Sequence, residues 1–401
     1  MKYFRLFACL AALMAATCAF SQKSGKDVVM EKFMVADSLM KIAEKPADYS
    51  AAYKAYTAVI KAYDRLSEAE LSKFDRKSVG LGIYYNAACT AARTGRPKIA
   101  LKYLRAACEC GYNNASWAKT DTDLESLHGY KEFDEIVAAM SEHSYLGVLK
   151  AAAEYADVPN DKVRFTYATP NDSNLVRTRR YFNLDSIAGS GDEISKIKNL
   201  LYFVHDAVRH DGSSKWPEKR DAISLYEVCK KENRGINCRM MAIMLNECYL
   251  AMGWKSRYVT CMPEDSLDND CHVINVVYSN TLDKWIWVDP TFAAYVSDDK
   301  GNLLSIDEVR ERLVNDKPLV LNDDANWNHE QKQTKEDYLE NYMAKNLYFI
   351  ECISDNRFGN ESTHWADFIL LVAKGHERNW RSDKRKSIVT TNNELFWKQP
   401  Y

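Results

Sequence analysis

One long apolar segment constrains the fold of this chain more than any other. The residues from Cys238 to Met252 contain no proline and place apolar side chains around most of a helix. Asn237 favours the start of that helix as an N-cap, and Gly253 favours its end. Since a helix that is apolar on nearly all sides is buried, other elements must cover it. Two strand-like runs follow along the chain, so the segment predicts a mixed α+β domain.

Cys238, His272 and Asp289 occur in an order that suits a nucleophile, a base and a group that orients the base. Cys238 lies at the predicted helix N-terminus, where unpaired backbone NH groups and a nearby imidazolium lower a thiol pKa by roughly one to several units. The amide of Cys238 itself is placed to stabilise an acyl oxyanion. His272 opens the first strand-like run and Asp289 closes the second. These three residues are the predicted catalytic set.

The loop between the two strands decides whether His272 and Asp289 share a face of the sheet. Side chains alternate between faces, so the two residues meet only if the loop has an even number of residues. A loop over residues 279–282 places them directly opposite each other, and a loop over residues 280–283 makes them diagonal neighbours. A five-residue loop would separate them. The catalytic hypothesis therefore predicts an even-length loop.

These segments resemble the transglutaminase-like superfamily. The similarity rests on four stretches in the family's order: Gly235-Ile236-Asn237-Cys238, Gly253 to Val259, Asp270 to Val273 and Trp287 to Thr291. The resemblance implies a papain-like core, in which the helix that bears the cysteine packs on an antiparallel sheet. It also implies that Cys238 is the nucleophile, His272 the general base and acid, and Asp289 the group that orients the histidine.

The resemblance further implies a second oxyanion donor from a side chain upstream of the cysteine. Residues 204–212 and Trp216 are the candidates, and the sequence leaves the choice among them open. We expect His210, Trp216 and Trp287 to contact the substrate, which the resemblance implies is a peptide or protein.

An acyl-enzyme at Cys238 can pass its acyl group to water, as in a peptidase or amidase, or to an amine, as in a transglutaminase. We favour hydrolysis of an amide or peptide bond, because the additional length of the chain is typical of packing and recognition rather than of amine binding. The alternative is an inactive module that binds a peptide or a glycan, since such folds can persist without turnover. No cofactor is expected.

No spacing of cysteines and histidines predicts a metal site. Cys108 and Cys110 are too close together for a zinc pair, and His205 and His210 are five residues apart, off the spacing that shares a helix face. The formal net charge of -2 and the lack of a basic stripe argue against a nucleic-acid partner.

The first 21 residues are predicted to be a signal peptide. Lys2 and Arg5 precede an apolar run over residues 6–16, and small residues lead to a cleavage position before Gln22. We therefore expect export, to the periplasm or out of the cell. Lipidation at Cys18 is the less favoured alternative, because the residues before it match a lipoprotein signal poorly. No later segment predicts a membrane span.

The cysteine count suits a free thiol in an oxidising compartment. Of the 11 cysteines, Cys9 and Cys18 lie in the predicted signal peptide, which leaves 11 − 2 = 9, an odd number. Cys261 and Cys271 flank a polar loop and are candidates for a disulfide bridge.

The length of 401 residues predicts more than one domain. Residues 27–147 predict helices and resemble tetratricopeptide repeats, with small side chains where two helices approach and Gly95 at the turn. Such repeats imply a surface for protein contact; with only about two of them, a helical cap packed on the catalytic domain is preferred. Residues 158–300 are the predicted catalytic domain, and residues 301–401 a C-terminal extension packed on it.

Several further elements are predicted around this core. Strands are expected at residues 164–167, 175–181, 347–354 and 365–372, and helices at residues 193–208, 305–313 and 337–345.

Overall fold

The computed structural model describes residues 23–266, 268–362, 367–378 and 387–400. The predicted signal peptide, with Cys18, lies outside the described residues. Backbone contacts divide the chain into two compact units, Met1–Gly147 and Val148–Tyr401.

The described part of the first unit is helical. Its α-helices are α1 (Gly25–Lys41), α2 (Pro46–Tyr63), α3 (Glu68–Leu71), α4 (Arg76–Val79), α5 (Asn86–Arg93), α6 (Pro97–Glu109), α7 (Ala115–Thr120) and α8 (Lys131–Glu142). A π-helix (Gly80–Tyr85) precedes α5, and a 3-10 helix (Thr122–Leu127) follows α7. A further helix, α9 (Tyr145–Ala151), spans the division between the units.

Helices α5 and α6 pack closely because small side chains line their contact. Ala88 and Ala91 on α5 are buried, as are Ala100 and Ala107 on α6. Gly95 turns the chain between the two helices with a φ of 71°, a conformation that favours glycine. The helical character predicted for residues 27–147 is confirmed, whereas membership of the tetratricopeptide family stays a prediction.

The second unit mixes helices and strands. Its remaining α-helices are α10 (Ser173–Phe182), α11 (Leu184–Ala188), α12 (Glu193–Ala207), α13 (Ala222–Glu232), α14 (Cys238–Ala251), α15 (Ile306–Val314), α16 (Ala344–Asn346) and α17 (Asn393–Phe396). A π-helix (Glu336–Met343) leads into α16, and a 3-10 helix covers Asn360–Ser362. The strands are β1 (Thr166–Tyr167), β2 (Ser256–Met262), β3 (His272–Ser279), β4 (Lys284–Val288), β5 (Val296–Ser297), β6 (Val320–Leu321), β7 (Asn326–Trp327), β8 (Gln331–Lys332), β9 (Phe349–Ile353), β10 (Asp355–Asn356), β11 (Phe368–Leu371) and β12 (Ser387–Thr390).

The central sheet has six strands in the order β12-β11-β9-β2-β3-β4. Neighbouring strands are antiparallel, apart from the parallel pair β11 and β12. Helix α14 lies against β2 and β3, and every residue from Met240 to Ala251 is buried. The prediction of a buried helix covered by a sheet is therefore confirmed, in a mixed arrangement of helix and strand.

Residues 175–181 belong to α10 and do not form the predicted strand. The Asp172 carboxylate accepts hydrogen bonds from the backbone NH groups of Asn174 (2.9 Å) and Leu175 (3.3 Å), which caps the first turn. Leu175 and Thr178 are both buried, at the spacing of one helix face. The cap and this helical spacing outweigh the local strand-like pattern.

Residues 301–401 form part of the second unit's own core rather than an extension packed on it. Strand β9 pairs with β2 in the middle of the sheet, and β11 and β12 complete one side of it. The strands predicted near residues 347–354 and 365–372 are confirmed as β9 and β11. The second unit also begins at Val148, ahead of the predicted residue 158.

Two other expectations concern the membrane and the cysteines. Across the ranges that the structure describes, no helix is both long and apolar enough to cross a membrane. Cys261 and Cys271 are free thiols, so the suggested bridge between them is absent from the structure.

Candidate active site

Cys238 is the first residue of α14, as its N-terminal signals predict. The preceding Asn237 has extended backbone angles, and its side-chain oxygen accepts a hydrogen bond from the backbone NH of Met240 at 3.1 Å. The first NH groups of a helix have no acceptor within the helix. The backbone NH of Cys238 is therefore directed out of the helix end, next to its own partly buried thiol.

Gly235 allows the segment that leads to Cys238 to lie against an upstream segment. Ile236 donates its NH to the Arg209 carbonyl oxygen (2.9 Å) and accepts from the Asp211 NH (2.8 Å), which places His210 in a parallel bridge beside it. A Cβ atom on Gly235 would lie 2.7 Å from the Arg209 oxygen. Only a glycine permits this approach without displacing the backbone.

His272 and Asp289 share a face of the sheet in the diagonal arrangement. Strands β3 and β4 pair Ser279 with Lys284, so the loop covers the four residues 280–283. The predicted even-length loop is therefore present. Nε2 of His272 lies 2.7 Å from Oδ2 of Asp289, and both side chains are buried.

Glu193, at the start of α12, holds this loop in place. Its carboxylate accepts hydrogen bonds from the Ser279 hydroxyl (2.6 Å), the Thr281 NH (2.8 Å) and the Trp254 indole NH (3.0 Å). Burial acts to raise the pKa of Glu193, but the bonds from Ser279 and Thr281 lower it to about 2. An ionised carboxylate thus supports the hairpin that sets the register.

The pKa values of the thiol and the imidazole move in opposite directions. Burial acts to raise the pKa of Cys238, but hydrogen bonds from the His210 and His272 side chains, the charge of His272 and the Val273 NH lower it to about 6. Burial acts to lower the pKa of His272, but the charge and hydrogen bond of Asp289 and the bond to Cys238 raise it to about 10. The geometry therefore favours a thiolate–imidazolium pair near neutral pH.

Asp289 has further partners on both carboxylate oxygens. Oδ1 accepts from the Thr291 NH at 2.8 Å, and Oδ2 accepts from the Tyr338 hydroxyl at 2.6 Å as well as from His272. The Tyr338 oxygen in turn accepts from the indole NH of Trp287 at 3.3 Å. These donors hold the carboxylate in one orientation against the histidine.

Trp287 does not lie where a substrate could reach it. Its side chain is fully buried, and its ring packs edge-on against Tyr338. The substrate-contact role expected from sequence is therefore corrected to support of Asp289 through Tyr338. The reason is that both faces of β4 are covered: Trp287 shares one face with Asp289, where Tyr338 packs on it, and Val288 on the other face is buried in the core with α14.

His210 is close to Cys238 and is held by two residues of the β7–β8 hairpin. Its Nδ1 accepts the indole NH of Trp327 at 2.9 Å. Its backbone NH donates to Asn328 Oδ1 at 2.7 Å, and its carbonyl accepts from Asn328 Nδ2 at 3.0 Å. With Nδ1 as an acceptor, the ring proton lies on Nε2, which leaves an NH donor for the Cys238 side.

Trp216 remains exposed near the same end of the site. The Arg220 guanidinium lies over its ring, 4.4 Å from the centroid. Arg220 also lies 3.8 Å from Glu361, which pairs with Arg239, the residue after Cys238. A contact of Trp216 with substrate stays a prediction.

Four residues near this site were missed from sequence. The rings of Phe292 and Tyr342 pack against His272 with centroid distances of 5.5 and 5.2 Å. Trp327 and Tyr338 contact His210 and Asp289 directly. For Trp327, Tyr338 and Tyr342 the only signal in the sequence is an aromatic-rich composition from residue 327 to residue 342, which carries no characteristic spacing; Phe292 lies outside that segment.

One cluster of metal-ligand residues lies apart from the thiol. His205, Asp206 and His329 bring one nitrogen or oxygen each to within 4.8 Å of the others.

Comparison with known proteins bears on one part of the chain. Residues 181–290 match the family model described as the transglutaminase-like superfamily, a segment that includes the three predicted catalytic residues. No curated protein matches. Among solved structures the chain is similar to one described as "a Putative Cysteine Protease from Cytophaga hutchinsonii", with 17% sequence identity, a TM-score of 0.24 and 42% of this chain covered. The chain spans about half (55%) of that protein's length. Residues 181–290 thus form a transglutaminase-like domain.

Proposed function

We propose that this chain is a thiol enzyme that forms an acyl-enzyme at Cys238 and hydrolyses an amide or peptide bond of a peptide or protein. One observation carries the proposal: the His272 ring lies 2.7 Å from the Asp289 carboxylate, and His210 and His272 together lower the pKa of Cys238 despite its burial. A thiol with a pKa of about 6 suits a nucleophile at neutral pH. A thiol that serves only to fill a core would have a raised pKa.

Acylation begins with the thiolate of Cys238, which attacks the substrate carbonyl carbon while the carbonyl π electrons move onto oxygen. The Cys238 backbone NH at the start of α14 is the first donor to that oxyanion. The second donor is Nε2–H of His210, because the Nδ1 of that ring is already an acceptor. Among the candidates that the sequence left open, His210 is therefore the oxyanion donor in this proposal.

The intermediate collapses when the His272 imidazolium gives its proton to the leaving amine and the C–N bond breaks. A thioester at Cys238 and a neutral His272 remain. His272 then takes a proton from water, whose oxygen attacks the thioester and displaces the sulfur. The acid is released, and the thiolate and imidazolium are restored. Asp289 holds Nε2 of His272 throughout, which fixes the ring orientation.

Transfer to an amine would use the same thioester, with the amine in place of water. An inactive peptide- or glycan-binding module would need neither the lowered thiol pKa nor the fixed tautomer of His210. Export to the periplasm or out of the cell, and protein contact through the helical first unit, form part of the proposal. No cofactor takes part in it.

The test uses residues 22–401 and the activated ester p-nitrophenyl acetate, which reports acylation whatever the natural substrate. We expect a stoichiometric burst of p-nitrophenolate and an acetyl group on Cys238 by mass spectrometry. Cys238→Ala abolishes the burst, and Cys108→Ala, which removes another partly buried thiol, retains it. A burst of equal size in Cys238→Ala would refute the proposal. Mass spectrometry of a peptide mixture, with and without a primary amine, then separates hydrolysis from transfer.

A further inference from the structure

We propose that His205, Asp206, Asn326 and His329 form a binding site for a divalent transition metal, of which Zn²⁺ fits best. His205 and Asp206 lie in the last turn of α12. Asn326 begins β7, and His329 lies in the turn between β7 and β8. The site is separate from the thiol, and the inference does not depend on the proposed acyl chemistry.

The distances match neighbouring ligands of one ion. His329 Nε2 is 3.3 Å from Asp206 Oδ1, and His205 Nε2 is 3.1 Å from Asn326 Oδ1. Two ligands that each lie about 2.0–2.1 Å from a tetrahedral zinc ion are roughly 3.3 Å apart. The Asp206 and His329 side chains are exposed, so they are free to rotate toward the buried His205.

His205 gives the strongest reason for a cation, because both of its ring nitrogens face oxygen atoms. Nδ1 lies 3.0 Å from the Pro290 carbonyl oxygen, and Nε2 faces Asn326 Oδ1. The Asn326 amide cannot turn round, since its Oδ1 accepts from the His329 NH (2.7 Å) and its Nδ2 donates to the Asp324 carbonyl (2.9 Å).

A neutral imidazole has one NH and satisfies one of these two oxygens, so satisfying both requires a cation, either a second ring proton or a bound metal ion. If Nδ1 donates to the Pro290 carbonyl, the lone pair of Nε2 is directed at the Asn326 oxygen. The His205 side chain that carries this lone pair is only 5% exposed. Two acceptor atoms that face each other without a proton between them are costly when buried. A metal ion bound by both Nε2 and Oδ1 turns the repulsive contact into two ligand bonds.

The chemistry of the donor set selects the metal. Two imidazole nitrogens with a carboxylate and an amide oxygen suit zinc, whereas calcium and magnesium prefer oxygen ligands alone. The bond from His205 Nδ1 to the Pro290 carbonyl is the second contact that metal-binding histidines commonly make, and it fixes the tautomer. No metal site was expected from the sequence, because the partner of His205 is the distant His329 and not His210.

A bound ion would link α12 to the turn of the β7–β8 hairpin. That hairpin carries Trp327 and Asn328, which hold His210. The His205 ring also lies against the carbonyl of Pro290, the residue that directly follows Asp289. We therefore expect zinc to stabilise the hairpin and raise the melting temperature of the second unit.

The test uses residues 22–401 with Cys238→Ala, which removes the thiolate as a competing zinc ligand. After treatment with a chelator, zinc is added in a calorimetric titration, and cobalt is added as a spectroscopic probe of tetrahedral geometry. We expect one ion per chain and a higher melting temperature. A second substitution in the Cys238→Ala chain, either His329→Asn or Asp206→Asn, should weaken zinc binding at least about tenfold. Asparagine is chosen at residue 329 because the backbone φ there is 60°, a left-handed conformation that asparagine adopts more readily than most residues.

A matched control is His143→Ala, which removes an exposed histidine of the first unit and should leave zinc affinity unchanged. The proposal is overturned if the Cys238→Ala chain binds no zinc, or if both substitutions at residues 206 and 329 leave the affinity as it was. Because every readout is binding or thermal stability, an absence of acyl chemistry would not alter the result.

Discussion

Trp327 donates its indole NH to Nδ1 of His210 over 2.9 Å, and this contact decides which nitrogen of His210 carries the proton. An indole NH is a donor only, so Nδ1 accepts and Nε2 holds the hydrogen. The His210 side chain helps to lower the pKa of Cys238. A tryptophan beyond the matched family segment therefore defines the proposed second oxyanion donor.

Trp327→Phe should slow acylation of Cys238, because His210 can then adopt the tautomer that presents a lone pair to the oxyanion. We expect the burst rate to fall about ten- to a hundredfold, and His210→Ala to lower it by about a hundred- to a thousandfold, the range for loss of one oxyanion donor. Stopped-flow kinetics with p-nitrophenyl acetate gives both rates. Trp117→Phe, at an exposed tryptophan of the first unit, is the control. A normal rate in His210→Ala would exclude the oxyanion role.

The reactivity of Cys238 should depend on pH with a midpoint at about 6. The thiolate forms as pH rises through that value, so alkylation by iodoacetamide increases from pH 5 to pH 7 and then levels off. Turnover needs the His272 imidazolium as well, so its rate should fall again as pH passes about 10. Initial rates of labelling and of turnover across this range test both limbs.

His272→Ala should move the labelling midpoint of Cys238 upward, because it removes a positive charge and a hydrogen bond that favour the thiolate. We expect a midpoint near or above the ordinary thiol value of about 8.5. His376→Ala, at a histidine that bonds Tyr348 elsewhere in the second unit, should leave the midpoint at about 6. An unshifted midpoint in His272→Ala would mean that the imidazole does not activate the thiol.

The sequence predicts the centre of the site well because its signals are local. Asn237 and Gly253 mark the ends of the helix that Cys238 begins, and the period of two residues in a strand relates His272 to Asp289. An even loop length leaves two registers, and the structure adopts the one with residues 280–283 in the loop. Each of these inferences spans a few residues or one hairpin.

The supports of the site were not predictable from sequence, because they come from distant segments. Tyr338 is 49 residues from Asp289 and Trp327 is 117 residues from His210, so only the tertiary fold brings each pair together. The pairing of β9 with β2 is likewise distant in sequence, and no local pattern encodes it. The same limit explains why the sequence predicts residues 301–401 as an extension and Trp287 as a substrate contact.

Tyr338→Phe should reduce turnover and stability together. The substitution removes the hydroxyl that donates to Asp289 Oδ2 and leaves the Trp287 NH without its acceptor inside the core. Loss of a buried hydrogen-bond partner costs about 1–3 kcal/mol of unfolding free energy. We expect kcat to fall about tenfold while the fraction of Cys238 that can be labelled stays the same. Burst kinetics measures the rate, and chemical denaturation measures the loss of unfolding free energy. Equal kcat in Tyr338→Phe would show that Asp289 is oriented without it.

Trp287→Phe separates the two roles considered for this residue, contact with the substrate and support of Asp289 through Tyr338. The structure buries its ring and engages its NH with Tyr338, so a phenylalanine should keep most of the packing and lose one hydrogen bond. We expect unfolding free energy to fall by about 1–3 kcal/mol with KM for a peptide substrate unchanged. A raised KM at normal stability would instead restore the substrate-contact role.

Gly235→Ala should disturb the geometry between His210 and Cys238 without touching either side chain. A Cβ atom there lies 2.7 Å from the Arg209 oxygen and would push apart the two segments that form the parallel bridge. Overpacking of this kind costs about 1–3 kcal/mol, and we expect slower acylation and an upward shift of the Cys238 labelling midpoint. Gly212→Ala is the matched control in the same region, because its Cβ would meet only His210 Cε1 at 3.8 Å. If both variants acylate at the normal rate, the bridge is not what sets the distance between the thiol and its neighbouring imidazole.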